Sequence, residues 1–260
     1  MQRNFALAGP EGKTGPADDP FARTVRWTGD GSVERAVAAL AGADLRCAHF
    51  ADPAFFADEA RGLNLCRLLR ERVNLLWSAR LADVPGRELL RAMRLAGCQR
   101  VVVSRDGEPA AEEIPRLRGF GFDYAFVPSD GEKEAGHAAY TVAEREAVAG
   151  ELPGLHAVQF DLAVAYFNAR RYGDVMRPLG KAMTLRFPAN ELCLNLLACL
   201  SAARHYPDVA AGLLIQADYG WPHPVVMRNR RLLRSWLESG GDVRGVRLVL
   251  EAEGRAVPAR

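Results

Sequence analysis

Residues 73–103 read VNLLWSARLADVPGRELLRAMRLAGCQRVVV, and the hydrophobic pattern changes twice along them. Val73 to Trp77 is an apolar run of strand length. An amphipathic helix follows, with Leu89, Leu90, Met93 and Leu95 as its apolar positions and Gly97 as its stop. Val101, Val102 and Val103 make a second apolar run. A strand–helix–strand unit of this length crosses over right-handed and lays its two strands parallel in one sheet.

The same alternation extends on both sides. Upstream, Asn4 to Ala8 (NFALA) is a short first strand, and Gly9 to Pro20 is loop, because turn formers crowd it. Ser32 caps a helix running through Val33, Val37 and Leu40. Arg46 to Phe50 is a second strand that Asp52-Pro53 ends. Ala57 to Arg72 is a helix with Leu63, Cys66, Leu69 and Val73 near one face. Downstream, Ala110 to Gly119 is a helix interrupted by Pro115, and Asp123 to Val127 is a fifth strand. About five strands alternating with helices predict an α/β layer, a partial parallel (β/α) barrel, over residues 1–130.

The character changes after Ser129. A polar stretch over 131–153 reads as a linker, and from 154 to 260 every segment reads as helix. Leu162, Ala163, Tyr166, Val175, Leu179, Ala182 and Pro188 return about 35 positions on as Leu197, Ala198, Ser201, Ala210, Leu214, Ala217 and Pro222. A weaker third pass gives Leu232, Leu233, Trp236, Val249 and Ala252. Small residues at fixed points let paired helices approach closely, and large ones fill the gaps. This period and order resemble the tetratricopeptide repeat, which implies a short α-solenoid of about three stacked units. The expected fold is therefore α/β followed by all-α.

Composition narrows the function classes. The chain has 260 residues, is 49% hydrophobic, and carries 34 basic against 32 acidic residues, a net charge of +2. Such a balance supplies no electrostatic footprint for nucleic acid or an anionic membrane. No apolar run approaches the ~20 residues of a membrane span, and Met1 opens no signal-peptide pattern. Five scattered cysteines, Cys47, Cys66, Cys98, Cys193 and Cys199, read as reduced core residues of a cytosolic protein. The Gly-Lys-Thr at residues 12–14 is not a phosphate loop: Leu7 stands where its first Gly must be, and Pro16 and Pro20 deny it a helix. No Gly-x-Ser-x-Gly turn surrounds Ser32, Ser78 or Ser104. The histidines, His49 among them, have no metal spacing.

Several stretches of the first half together resemble the radical S-adenosylmethionine barrel. They are RWTGDGSVERAVAAL, CAHFADPAFFADEARGLNLCRLL, and the element carrying Trp77, Arg80, Asp83, Val84, Leu89, Leu90, Met93, Ala96, Gly97 and Cys98. That family holds a [4Fe–4S] cluster on C-x3-C-x2-C, and this chain has no such triplet, so no cluster is expected. In the Glu position that contacts the nucleoside ribose in that family, VVVSRDGE offers Asp106, with Ser104 in place of a close-approach Gly. The closing segment survives as FVPSDGE.

Strand C-terminal ends are where ligands bind in α/β layers. Asp52, Arg80, Ser104, Asp106 and Ser129 stand there, as a vestigial pocket for S-adenosylmethionine or another nucleoside, or as plain solvated loop residues. The repeats imply a groove for a protein partner, with Asn168, Arg171, Asn195 and Arg204 as groove residues on the first helix of each unit. The leading expectation is a non-catalytic interaction or scaffold protein that uses no cofactor, metal, nucleic acid or membrane. The alternative is an enzyme relative, or an accessory subunit of an intact radical enzyme, that retains S-adenosylmethionine binding.

Overall fold

The computed structural model describes residues 6–8, 22–26, 32–43, 47–128, 140–185, 190–220, 223–240 and 248. The strands β1 (Ala6–Ala8), β2 (Ala22–Arg26), β3 (Cys47–Phe50), β4 (Leu76–Leu81), β5 (Cys98–Ser104) and β6 (Asp123–Val127) form one six-stranded sheet in sequential order. β1 runs antiparallel to β2, with Leu7 opposite Val25. From β2 to β6 every pairing is parallel. The helices α1 (Val33–Gly42), α2 (Glu59–Arg72), α3 (Arg87–Leu95) and α4 (Glu113–Gly119) make the crossovers. Because the order never reverses, right-handed crossovers place all four helices on one face of the sheet.

The burial pattern agrees. Along β4 exposure alternates, with Trp77, Ala79 and Leu81 buried and Leu76, Ser78 and Arg80 half-buried. The buried set joins Ala48, Phe50, Val101 and Val103 with the inward residues of the helices in one core. Phe50, Phe55, Phe56 and Trp77 form its aromatic centre, with Phe56 stacked on Trp77 at 5.9 Å. Trp77 remains satisfied there because its Nε1 donates to Ala96 O at 2.8 Å.

Local chemistry sets the element ends. Ser32 Oγ accepts from Arg35 N at the start of α1, and Asp58 Oδ1 from Arg61 N at the start of α2. Pro115 lies in the first turn of α4 and does not interrupt it, since that N–H needs no intrahelical partner. Gly97 turns the chain from α3 into β5 at φ 98°, where a Cβ would stand 2.5 Å from Leu75 O.

Two features were not anticipated. β2 was missed, because ARTVR offers only Ala and Val as apolar residues. The fully buried Arg94 was missed as well. Its Nε donates to Phe120 O at 3.2 Å and its Nη1 to Cys98 O at 2.8 Å, tying α3 to β5 and to the approach to β6.

Contacts divide the chain into residues 1–158 and 159–260. The stretch read as a linker over 131–153 contains α5 (Val142–Glu151), started by a capping box of Thr141 and Glu144. This helix belongs to the first unit. Val148 lies in its core, Arg118 forms an ion pair with Glu144 at 2.7 Å, and Tyr140 sits between Arg118 and Arg145.

The second unit is helical: most of α6 (His156–Asn168), then α7 (Met176–Thr184), α8 (Asn190–Ala203), α9 (Pro207–Gly220) and α10 (Pro224–Glu238). Alternate helices end alike. Arg170, His205 and Gly240 have positive φ of 59°, 66° and 65°, thirty-five positions apart each time. At the first two, the same pair of bonds closes the turn. Arg170 N donates to Phe167 O and Arg171 N to Tyr166 O, and His205 N donates to Ala202 O and Tyr206 N to Ser201 O. Ala163, Ala198 and Ala217 are buried, as close helix approach requires.

Candidate functional site

The sheet face opposite α1–α4 carries a row of polar residues. Strand alternation and the parallel register place His49, Ser78, Arg100 and Asp123 in one row across β3 to β6. Arg80 stands one step further along β4 on the same face, and Ser104 at the end of β5. Three contacts cross between neighbouring strands. His49 Nδ1 and Ser78 Oγ are 2.8 Å apart. Arg80 Nε donates to Ser104 Oγ at 2.5 Å. Arg100 Nε lies 3.8 Å from Asp123 Oδ2. Burial, with the nearby Arg80 and Arg100 charges, lowers the His49 pKa and holds the ring neutral near pH 7.

Of the five strand-end residues expected from sequence, the structure joins Arg80 and Ser104 directly. Asp52 is half-buried on the turn after β3, where its carbonyl accepts from Phe55 N at 3.2 Å. Asp106 is exposed in the turn after β5. Ser129 and the segment 9–20 lie outside the described residues. Arg105, next to Asp106, clamps the strand ends: its Nη1 reaches Asp83 Oδ1 at 3.0 Å and Glu113 Oε1 at 2.9 Å. Ser78, Arg100 and Asp123 went unrecognised as a group. No spacing joins them in sequence, and only the register aligns them.

Burial pushes the Cys66 and Cys193 thiols up to about 12 and raises Cys98 and Cys199 as well, and all four are buried. Among the described residues, no three His, Cys, Asp or Glu side chains gather in a metal-holding group.

In the helical unit the expected groove residues separate. Asn195 is buried, and its Oδ1 accepts from Asn229 Nδ2 at 2.6 Å, so it is an interior residue and not a groove residue. It faces the next helix of the stack, a direction the repeat pattern alone does not fix. Asn168, Arg171 and Arg204 are exposed at helix ends. Arg171 pairs with Asp174 at 2.8 Å and lies over the Tyr166 ring, and Arg204 Nη2 donates to Tyr172 O at 2.9 Å. They brace the turns between helices.

The apolar surface of this unit lies elsewhere. A groove of about 450 Å³ runs between α9 and α10. Buried Leu214 and Leu233 form its floor, and exposed Ile215, Met227 and Leu237 its walls. On its rim Arg230 pairs with Asp218, and Arg234 with Glu238 at 2.8 Å. Among the described residues, Arg231 has no carboxylate partner and donates to Met227 O, at 3.4 Å. No described helix is long and apolar enough to cross a membrane.

Comparisons with protein-family models, with curated proteins and with solved structures find no match for this chain.

Proposed function

We propose that this chain is a non-catalytic interaction protein in which a tetratricopeptide-like helical unit binds a protein partner and a partial (β/α) barrel serves as its base. The carrying observation is where apolar surface is exposed. Among the described residues, all nine exposed large hydrophobics fall within 176–237, and the first unit has none. Isolated exposed apolar residues need no explanation, but a set confined to one unit and meeting in a groove marks a binding surface. Ile215, Met227 and Leu237 border that groove, and Tyr219 lines an adjoining depression that shares Ile215, Asp218 and Arg230 with it.

The occupant that fits is an amphipathic helix with an acidic flank. Its aliphatic face would cover Leu214 and Leu233, and a carboxylate would meet Arg231, the rim cation left without one among the described residues. Placing a photo-crosslinking residue at Tyr219, with a control at Glu71 on α2, tests this in cells. The reading predicts one heterologous adduct from position 219, lost in Ile215→Glu, and none from position 71. Adducts only between copies of this chain, or none that depend on Ile215, would refute it.

A further inference from the structure

We propose that the sheet face opposite α1–α4 carries a second binding site, one that takes a small oxyanion, a phosphate or carboxylate group, on Arg80. Several half-buried or buried arginines of this unit are held by close partners. Arg105 has Glu113 and Asp83, Arg118 has Glu144, Arg100 has Asp123, and fully buried Arg94 has two carbonyls. A cation withdrawn from water needs such partners, because desolvation otherwise goes uncompensated. Arg80 is half-buried too, and among the described residues its hydrogen-bond partner is the Ser104 hydroxyl. That bond fixes Nε and leaves the two Nη groups for a ligand, in the fork geometry that suits a carboxylate or phosphate.

The neighbours reinforce the site. Ser78 lies two residues before Arg80 on the same face, about 7 Å along the strand, and His49 and Arg100 flank Ser78 on the adjacent strands. Arg100 on this face is already met by Asp123, at 3.8 Å. His49 and Ser78 are neutral groups able to donate or accept a hydrogen bond beside the anion. The site is independent of the partner groove on the helical unit.

The experiment is an NMR titration of the full chain with inorganic phosphate and, separately, with succinate, against chloride at matched ionic strength. The His49 imidazole serves as reporter. An anion on Arg80 would shift the His49 resonances saturably and raise its pKa, by offsetting the guanidinium field that lowers it. Arg80→Gln should weaken binding roughly tenfold or more. Ser104→Ala should weaken it less, and Arg67→Gln on exposed α2 should leave it unchanged. Saturation by phosphate alone would assign a phosphate-bearing ligand, and by succinate alone a carboxylate ligand. A His49 response no different from chloride, or equal binding by folded Arg80→Gln, would overturn the proposal.

Discussion

Arg170 and His205 occupy the same point of two successive helical repeats, both in the left-handed region, at φ 59° and 66°. In the third repeat the position is held by Gly240, at φ 65°. A side chain at such φ is strained, and Gly is not. His205→Gly should therefore stabilise the protein by about 0.5–1 kcal/mol, and Gly240→Ala should destabilise it by a similar amount. Urea unfolding of both variants checks the pair. Equal signs would break the equivalence of the three turns.

The Asn195–Asn229 pair is buried, so removing one partner breaks a hydrogen bond that water cannot replace. Either single Ala variant should lose about 1–3 kcal/mol. The double variant should lose less than the sum, and a double-mutant cycle reads the difference. Strict additivity would mean the two amides do not depend on each other.

Ala198 is fully buried in the core shared by α8, α9 and α10. Ala198→Leu should destabilise by about 1–3 kcal/mol through overpacking. A neutral result in thermal unfolding would displace the repeat register that puts Ala198 at a helix contact.

Gly97→Ala combines a backbone and a steric fault: φ is 98°, and the new methyl would meet Leu75 O at 2.5 Å. A loss of at least about 1–3 kcal/mol is expected for the strained dihedral alone. Because Leu75 leads into β4, amide exchange should report the weakening first in β4 and β5. Uniform exchange across the first unit would contradict that.

Among the groups with lowered pKa values, His156 and Glu144 show how stability falls in acid. Burial, helped by the Arg94 charge, lowers His156 from 6.5 to about 4, so stability that is full above pH 6.5 is lost as pH falls toward 4. Bonds from the Thr141 backbone and from Arg118 lower Glu144 from 4.5 to about 2, giving a second loss as pH falls from 4.5 toward 2. Glu144 is 39% exposed and its contribution is small, screened by solvent and salt. His156→Gln should flatten the first window and Glu144→Gln the second, as read by unfolding midpoints against pH.

Much of the architecture was legible because its signals are local. Residues 73–103 contain both apolar runs and the amphipathic helix between them, and β4, α3 and β5 fall within that stretch. The helical repeat was legible because small residues recur at a fixed period. β2 was not, since a strand with so few apolar residues is specified by its neighbours β1 and β3 rather than by its own pattern. Helix α5 was hidden inside a polar stretch, where Thr141 and Glu144 were its only signal.

By itself, the sequence determined the alternation of strand and helix, the change to helical repeats, and the lack of a cluster-binding cysteine triplet, because these depend on residues near one another in the chain. The tertiary structure alone decided which polar residues share a surface. Arg80 meets Ser104, and His49 meets Ser78, only through the register of parallel strands, where a shift of one residue would send each side chain to the opposite face. It also decided that Asn195 is interior and that Ile215, Met227 and Leu237 border a groove, since helix faces acquire an inside and an outside only when neighbouring helices pack against them.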